Sequence, residues 1–215
     1  MANRYKIFFL FDKRNNYRKK YFSYFKSNTK YIFKSTYRIS DIKRAEIVFF
    51  IGITKILDLD KIDSKLILVL HESPLPKYRG GAPIQWQILK ENKSKFILTL
   101  FHAKKKLDSG DIFFQNKFSI LKTDIYEDIR HKQAVASAAT VKKFLKIYPN
   151  YKIKKQKGNP TYFRLRTPED NELNINKSLK SQFNLFRIGN NNSWPSFFYY
   201  KKIKYILKIF KYNSF

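Results

Sequence analysis

The sequence predicts an α/β protein, with a mostly parallel sheet that carries helices on both faces. Two segments carry most of this prediction, because residues 47–51 and 66–70 are apolar without alternation. Uninterrupted apolar runs of this length are typical of parallel strands that are covered on both sides. Along the chain such strands alternate with short helical patterns, and this order indicates a layered α/β sheet.

The remaining elements follow in chain order from apolar periodicity and turn residues. The predicted strands are residues 5–11, 31–33, 47–51, 66–70, 96–101, 112–118 and 161–163. The predicted helices are residues 17–25, 84–90, 124–147 and 178–186. The last segment is ambiguous by pattern alone. Its apolar residues fit either one face of a basic amphipathic helix (Ile203, Ile206, Leu207, Phe210) or one face of a strand (Ile203, Tyr205, Leu207, Ile209).

Composition limits the classes of function. The 215 residues fit one domain, alone or with a small appendage, and 43% hydrophobic residues argue against disorder. A formal net charge of +29 should attract polyanions: nucleic acid, anionic lipid headgroups, nucleotide-sugar diphosphates or polyglutamylated folates. The excess of Lys, Ile, Asn, Phe and Tyr is also what an AT-rich genome encodes, so the charge alone does not choose a partner.

Several common chemistries lack their motifs. The absence of cysteine excludes disulfides, thiolate catalysis and cysteine-ligated zinc. There is no Gly-x-Gly-x-x-Gly, no phosphate-binding Gly-Lys-Ser/Thr, no His-Glu-x-x-His and no Gly-x-Ser-x-Gly, so we expect no metal site and no classical nucleotide fingerprint. No transmembrane segment and no signal-peptide cleavage site are recognisable, and a cytoplasmic protein is expected.

His71 is the first candidate for a functional residue. It follows the apolar run 66–70 directly, and ligands of open α/β sheets bind beyond the carboxyl ends of the strands. The loop after His71 is stiffened by three prolines and two glycines (Pro74, Pro76, Gly80, Gly81, Pro83). The alternative is a histidine that simply packs beneath a turn.

Asp108 is the second candidate, in a loop between two predicted strands. If both loops lie at the same edge of the sheet, the two side chains can meet. A carboxylate beside an imidazole orients the ring and stabilises its protonated form, which gives a base usable near neutral pH. The alternative is that residues 108–111 form only a polar turn.

Taken together, the two motifs resemble the folate-dependent formyltransferase family. The run His71-x-Ser73-x-Leu75-Pro76-x-Tyr78-Arg79-Gly80-Gly81-Ala82-Pro83-Ile84 is similar to the signature loop of that family, and Asp108-Ser109-Gly110-Asp111-Ile112 to its second signature. Their separation, 108 − 71 = 37 residues, also matches. Residues 162–170, 186–187 and 194–198 are similar to the segment that leads into the small C-terminal barrel of transfer-RNA and aminosugar formyltransferases. The resemblance covers about residues 48–210 and favours strands over a helix for residues 196–210.

The resemblance implies a Rossmann-like catalytic domain over residues 1–157, with a shortened amino-terminal part that lacks one βα unit. A short C-terminal helix and β-hairpin subdomain, a truncated barrel, is implied over residues 158–215. The implied activity is transfer of a formyl group from 10-formyltetrahydrofolate, without a metal, to the amine of a nucleotide-linked amino sugar. Of the family's branches, the His71-Glu72-Ser73-Pro74 variant looks closest to the sugar-nucleotide N-formyltransferases.

The resemblance also implies a set of site residues. His71 and Asp108 are the catalytic pair. The folate-binding residues are implied to be Phe50, Ile51, Gly52, Ile53, Lys106 and Leu107. The substrate-binding residues are implied to be Ser73, Lys77, Tyr78, Arg79, Gly80 and Gly81. For Arg79 a role as structural anchor of its own loop remains open.

One departure from the family pattern concerns the position two residues before the histidine. The family usually has an asparagine there, which holds the developing negative charge of the formyl oxygen, and this chain has Val69. Either His71 and loop amides replace it, or the enzyme is slow or inactive.

Two alternatives to an active sugar-nucleotide enzyme stay open. The +29 charge favours a methionyl-tRNA formyltransferase, and Val69 favours an impaired homologue that binds folate or nucleotide. The sequence does not determine the oligomeric state, and a homodimer is compatible with it.

Overall fold

The computed structural model describes residues 4–13 and 18–212. Its strands are β1 (Tyr5–Phe11), β2 (Tyr31–Thr36), β3 (Ala45–Ile51), β4 (Ser64–His71), β5 (Arg79–Gly80), β6 (Lys95–His102), β7 (Ile112–Ser119), β8 (Tyr162–Phe163), β9 (Ser196–Tyr200) and β10 (Ile203–Leu207). Its α-helices are α1 (Lys19–Phe22), α2 (Pro83–Glu91), α3 (Tyr126–Ile147) and α4 (Leu179–Arg187). Short 3₁₀ helices cover Ile39–Asp41, Leu59–Lys61 and Pro168–Asn171.

Six strands form the central sheet, in the order β2-β1-β3-β4-β6-β7. The first four are parallel to one another, whereas β6 and β7 run antiparallel to their neighbours. The predicted mostly parallel α/β sheet is therefore confirmed. His71 is the last residue of β4, so its side chain lies at the carboxyl end of a parallel strand, as predicted.

The two faces of the sheet are covered differently. On one face, Leu66, Leu68 and Leu70 pack in a core with residues of α1 and α3. On the other face, a core that includes Phe50 and Ile67 is covered by segments 39–42 and 57–62, which contain two of the 3₁₀ helices. Helix α2 contributes Ile84 and Ile88 to a third apolar cluster beside β6 and β7, which also contains Ile188, the residue after α4. The second face is thus closed mainly by short turns.

The predicted helix at 17–25 is reduced to the four residues of α1, and residue 17 lies outside the described part. The helix ends at Phe22, after which the Phe25 amide bonds to the carbonyl of Phe22 in a turn. Phe22 and Phe25 both pack against Phe9 of β1, with ring centroids 4.9 and 5.1 Å away. Aromatic packing on the sheet, rather than a longer helix, accounts for this stretch.

The segment after α3 pairs with the loop that follows His71, in a separate two-stranded sheet, and then forms a hairpin. Strand β8 pairs in parallel with β5, so that Tyr162 and Phe163 lie beside Arg79 and Gly80. Strands β9 and β10 form an antiparallel hairpin. Of the residues 196–210 predicted as strands, 196–200 and 203–207 form strands, and the amphipathic-helix alternative is wrong because these two segments pair antiparallel through their backbones. None of the described helices is long and apolar enough to span a bilayer.

Candidate active site

The His71 ring is held at a defined angle by its own loop. Its Nε2 lies 2.8 Å from the carbonyl oxygen of Tyr78. A carbonyl can only accept, so Nε2 carries the hydrogen and Nδ1 of the neutral ring carries the lone pair. Only 8% of the His71 side chain is exposed.

Nδ1 of His71 faces Asp108, with its Oδ2 at 3.8 Å. The same Oδ2 accepts a hydrogen bond of 2.8 Å from the backbone N–H of Gly80. The side chain of Asp108 is 9% exposed, so little water separates the two groups. The two residues predicted to meet from distant positions of the chain therefore do so.

Asp108 reaches His71 by an unexpected route. Because β6 is antiparallel to β4, the chain leaves β6 level with the middle of β4, where the Ala103 amide bonds to the carbonyl of Ile67. His71 lies four residues farther along β4, roughly 13 Å away. The loop 103–111 must therefore fold back across the sheet to bring Asp108 to His71. The expectation from the sequence required only that both loops lie at the same edge of the sheet, and it specified neither the direction of β6 nor the route of this loop.

The loop after His71 has a backbone that few residue types allow. Tyr78 has φ +60° and Gly80 has φ +98°. A Cβ on Gly80 would lie 2.1 Å from the carbonyl oxygen of Phe163, because β8 passes directly against it. The Tyr78 and Phe163 rings stack with centroids 5.0 Å apart. These constraints fix the two backbone groups that contact His71 and Asp108, namely the Tyr78 carbonyl and the Gly80 amide.

Arg79 has the contacts of an anchor. It is buried, its Nη2 donates to Oε1 of Gln156 at 2.7 Å, and its Nη1 donates to the Tyr162 hydroxyl at 3.2 Å. Of the two roles left open by the sequence, these contacts match that of holding the loop.

The other implied substrate residues differ in exposure. Lys77 is exposed and Tyr78 half-buried. Ser73 is fully buried, and its carbonyl accepts a hydrogen bond from the Thr99 hydroxyl. The backbone of Gly81 donates to the Phe163 carbonyl. A substrate-binding role for these residues stays a prediction, and for Ser73 a direct contact would require the loop to move.

The implied folate residues come from the end of β3 with the residues that follow it, and from the loop that carries Asp108. Phe50 pairs in register with Val69, so Gly52 and His71 lie level, two residues beyond that pair. Phe50 and Ile51 are buried in the cores of opposite faces, whereas Gly52 and Ile53 are half-buried. Lys106 and Leu107, which precede Asp108, are exposed. Folate binding by these six residues stays a prediction.

A buried ion pair next to His71 was not predicted. Glu72 accepts a hydrogen bond of 2.6 Å from Arg18, and the two side chains are 8% and 3% exposed. Burial raises the pKa of Glu72, but Arg18, His71, Gln133 and Arg130 outweigh it and the net pKa lies below the usual value. The need for a partner could have been predicted, because a carboxylate directly after a buried strand requires one, but the sequence does not indicate that Arg18 is that partner.

The described residues contain no cluster of three or more histidine, cysteine or acidic side chains that could hold a metal. Residues 21–144, which span α1 to α3 and include both His71 and Asp108, match the family model described as formyl transferase. The chain belongs to the formyl transferase family.

Family members of known sequence and structure are similar over much of the chain. Methionyl-tRNA formyltransferase of Mesoplasma florum is 37% identical over 145 residues, 66% of this chain and 44% of that protein. The chain thus spans less than half the length of such curated relatives. Methionyl-tRNA formyltransferase from Clostridium thermocellum superposes with a TM-score of 0.77 at 20% identity, over 93% of this chain and 90% of that one.

A second solved structure carries ligands. The N-formyltransferase from Helicobacter canadensis, in complex with folinic acid and dTDP-3-aminofucose, superposes with a TM-score of 0.66 at 17% identity. The match covers 92% of this chain and 85% of that one. Both superpositions support the α/β formyl transferase fold.

Proposed function

We propose that this chain transfers a formyl group from 10-formyltetrahydrofolate to an amine, with His71 and Asp108 as catalytic residues. The observation that carries the proposal is the approach of Nδ1 of His71 to the Asp108 carboxylate, 3.8 Å apart in a nearly closed site. Membership of the formyl transferase family supports the reaction class.

The pair is arranged for proton transfer at one atom. An amine that forms a bond to the formyl carbon must lose a proton, and Nδ1 of His71 carries the lone pair that can receive it. The resulting imidazolium is stabilised by the Asp108 carboxylate and by the Tyr78 carbonyl, which accepts from Nε2. The bond from the formyl carbon to the donor nitrogen breaks in exchange, and the same proton can pass from His71 to that leaving nitrogen. Because the Gly80 amide holds Oδ2 of Asp108, the carboxylate is in place before the proton arrives.

The surroundings of His71 fit a folate. Half-buried apolar side chains lie on the same face of the sheet, namely Ile53, Leu57 and Val69, and Leu107 is 48% exposed. Apolar side chains with backbone groups at the rim are typical of sites for flat heteroaromatic ligands. When bound there, 10-formyltetrahydrofolate supplies the formyl group. Val69 offers no hydrogen bond to the formyl oxygen, so protonated His71 and loop amides are left to stabilise its charge.

We infer a nucleotide-linked amino sugar as the amine substrate. The His71-Glu72-Ser73-Pro74 variant of the loop supports this choice, as does the similar fold of an N-formyltransferase complexed with dTDP-3-aminofucose. Methionyl-tRNA is the second candidate, because curated relatives of 36–37% identity are methionyl-tRNA formyltransferases. The net charge of +29 also suits an RNA substrate, whose binding depends steeply on salt.

The test is a formyl-transfer assay read by mass spectrometry. Purified protein and 10-formyltetrahydrofolate are incubated with dTDP-, UDP- and GDP-linked amino sugars and, separately, with methionyl-tRNA. We expect formylation of an amino sugar by the wild type, its loss in His71→Ala, and its retention in His131→Ala. His131 is the matched control because it bonds to Tyr21 away from the site. Formylation of methionyl-tRNA alone would select the second candidate. Folate binding without transfer to any amine, or full activity in His71→Ala, would refute the proposal.

A further inference from the structure

Gln156 occupies an unusual position in the segment that follows α3. From residue 151 to residue 162 every residue except Gln156 is exposed. Its side chain turns inward and contacts both loops of the candidate active site. No sequence pattern singles it out, because the residues around it are basic and polar.

The Gln156 amide makes three hydrogen bonds that define its orientation. Oε1 accepts from Nη2 of Arg79 at 2.7 Å. Nε2 donates to the carbonyl of Asp108 at 2.9 Å and to the carbonyl of Gly110 at 2.8 Å. Arginine can only donate and carbonyls can only accept, so the chemistry of the neighbours fixes which end of the amide is which.

These bonds hold a backbone that is costly to form. Asp108 has φ +47°, in the left-handed region that non-glycine residues seldom adopt. A Cβ on Gly110 would lie 1.6 Å from the His102 carbonyl, so the loop is folded tightly against the end of β6. Such a conformation persists only where the surroundings enforce it. Nε2 of Gln156 bridges the carbonyls on either side of this turn.

We propose that Gln156 is a positioning residue, which sets the Asp108 carboxylate against His71 by tying the Asp108 loop to Arg79 of the His71 loop. The inference rests on the proposed role of Asp108 in formyl transfer. Gln156 is not needed merely to attach its segment, because the backbone of Lys154 already exchanges two hydrogen bonds with Ile112, of 2.7 and 2.8 Å. Its contribution is therefore specific to the geometry of the pair.

Two substitutions distinguish the two functions of the Gln156 amide, accepting from Arg79 and donating to the Asp108 loop. Gln156→Met keeps the length of the side chain and removes all three bonds. Gln156→Glu keeps an acceptor for Arg79 but sets a carboxylate oxygen against two carbonyl oxygens. If Gln156 acts through Asp108, both variants lower kcat by ~10- to 100-fold, the scale expected for a misplaced catalytic group, while KM changes little. If it acts only by anchoring Arg79, Gln156→Glu retains wild-type kcat, and the proposal is overturned.

Gln182→Met is the matched control. The Gln182 amide forms the same kind of clamp elsewhere, accepting from the Asn174 amide and donating to the carbonyls of Asn174 and Lys177. We expect its loss to leave kcat unchanged. Equal losses of activity in the Gln182 and Gln156 variants would indicate a general effect on folding and would overturn the proposal.

A second measurement is independent of turnover. The chain has six glycines, so selective ¹⁵N-glycine labelling gives a spectrum of six amide signals. The Gly80 amide donates to Oδ2 of Asp108 and reports its position. We expect the Gly80 and Gly110 signals to shift, and the Gly80 amide to exchange faster with solvent, in both Gln156 variants, with the Gly189 signal unchanged. Unaltered Gly80 signals in the Gln156 variants would overturn the positioning role, whether or not the wild type is active. If the wild type formylates none of the amines tested, that result counts against the proposed function alone, because the Gly80 signals still report the position of Asp108.

Discussion

Replacement of Asp108 by asparagine tests how much the carboxylate contributes beyond shape. The asparagine amide oxygen can still accept from the Gly80 amide, so the loop should keep its conformation. What is lost is the charge beside His71. Two unit charges 3.8 Å apart attract each other by about 4 kcal/mol at an effective dielectric constant of about 20. An effective constant well below that of water is appropriate, because both side chains are less than a tenth exposed.

This attraction sets the expected size of the effect. A factor of ten in rate corresponds to ~1.4 kcal/mol, so Asp108→Asn should lower kcat by up to roughly 10³-fold. The assay is steady-state formyl transfer at pH 7.5, with thermal unfolding to check that the variant is folded. A loss of at least ~30-fold with an unchanged unfolding temperature would agree with the estimate. If kcat stays within threefold of the wild-type value, the carboxylate does not stabilise an imidazolium, and the reasoning is refuted.

Three further substitutions probe the surroundings of the pair. Gly110→Ala forces a Cβ against the His102 carbonyl, so it should abolish activity and destabilise the fold by more than ~1 kcal/mol in urea unfolding. Gly158→Ala is the comparison: nothing lies within 4 Å of its Cβ, so it should cost stability through its φ of +97° but leave activity intact. The net pKa of Glu72 is lowered on folding, so its stabilising contribution is present above about pH 4.5 and is lost as the pH falls through the folded pKa. Glu72→Gln should therefore lower the free energy of unfolding by roughly 3–5 kcal/mol at pH 7, and the difference from wild type should shrink in acid; a constant difference would contradict this. Val69→Asn adds an amide on the His71 face of β4 and should raise kcat by up to ~10²-fold, whereas Val69→Leu should not; equal rates would mean that His71 and the loop amides already stabilise the formyl oxygen.

The central strands could be predicted because strands that are buried on both faces have uninterrupted runs of apolar residues. Residues 47–51 and 66–70 lie inside β3 and β4, and the strands at 96–101 and 112–118 lie inside β6 and β7. The direction of β6 could not be predicted, since an apolar run has the same pattern in a parallel and an antiparallel strand. The route of the loop that carries Asp108 depends on that direction.

The approach of His71 to Asp108 could be predicted because their residue types and spacing are distinctive, whereas the residues that support them could not. Arg79 has the same charge whether it binds a phosphate or anchors a loop, and only its contacts with Gln156 and Tyr162 distinguish the two. Gln156 lies in a basic segment without periodicity. Arg18 reaches Glu72 from 54 residues away, and no local pattern encodes such a contact.

The parallel pairing of β5 with β8 determines when, during synthesis, the loop that follows His71 can reach its final conformation. His71 and Gly80 leave the ribosome more than eighty residues before Phe163, whose backbone closes over Gly80. The sheet from β1 to β7 can collapse in the meantime, because its strands all precede α3. A nascent or prematurely terminated polypeptide that stops before Tyr162 would therefore contain His71 and Asp108. It would lack β8, the strand that fixes the turn at residues 78–80.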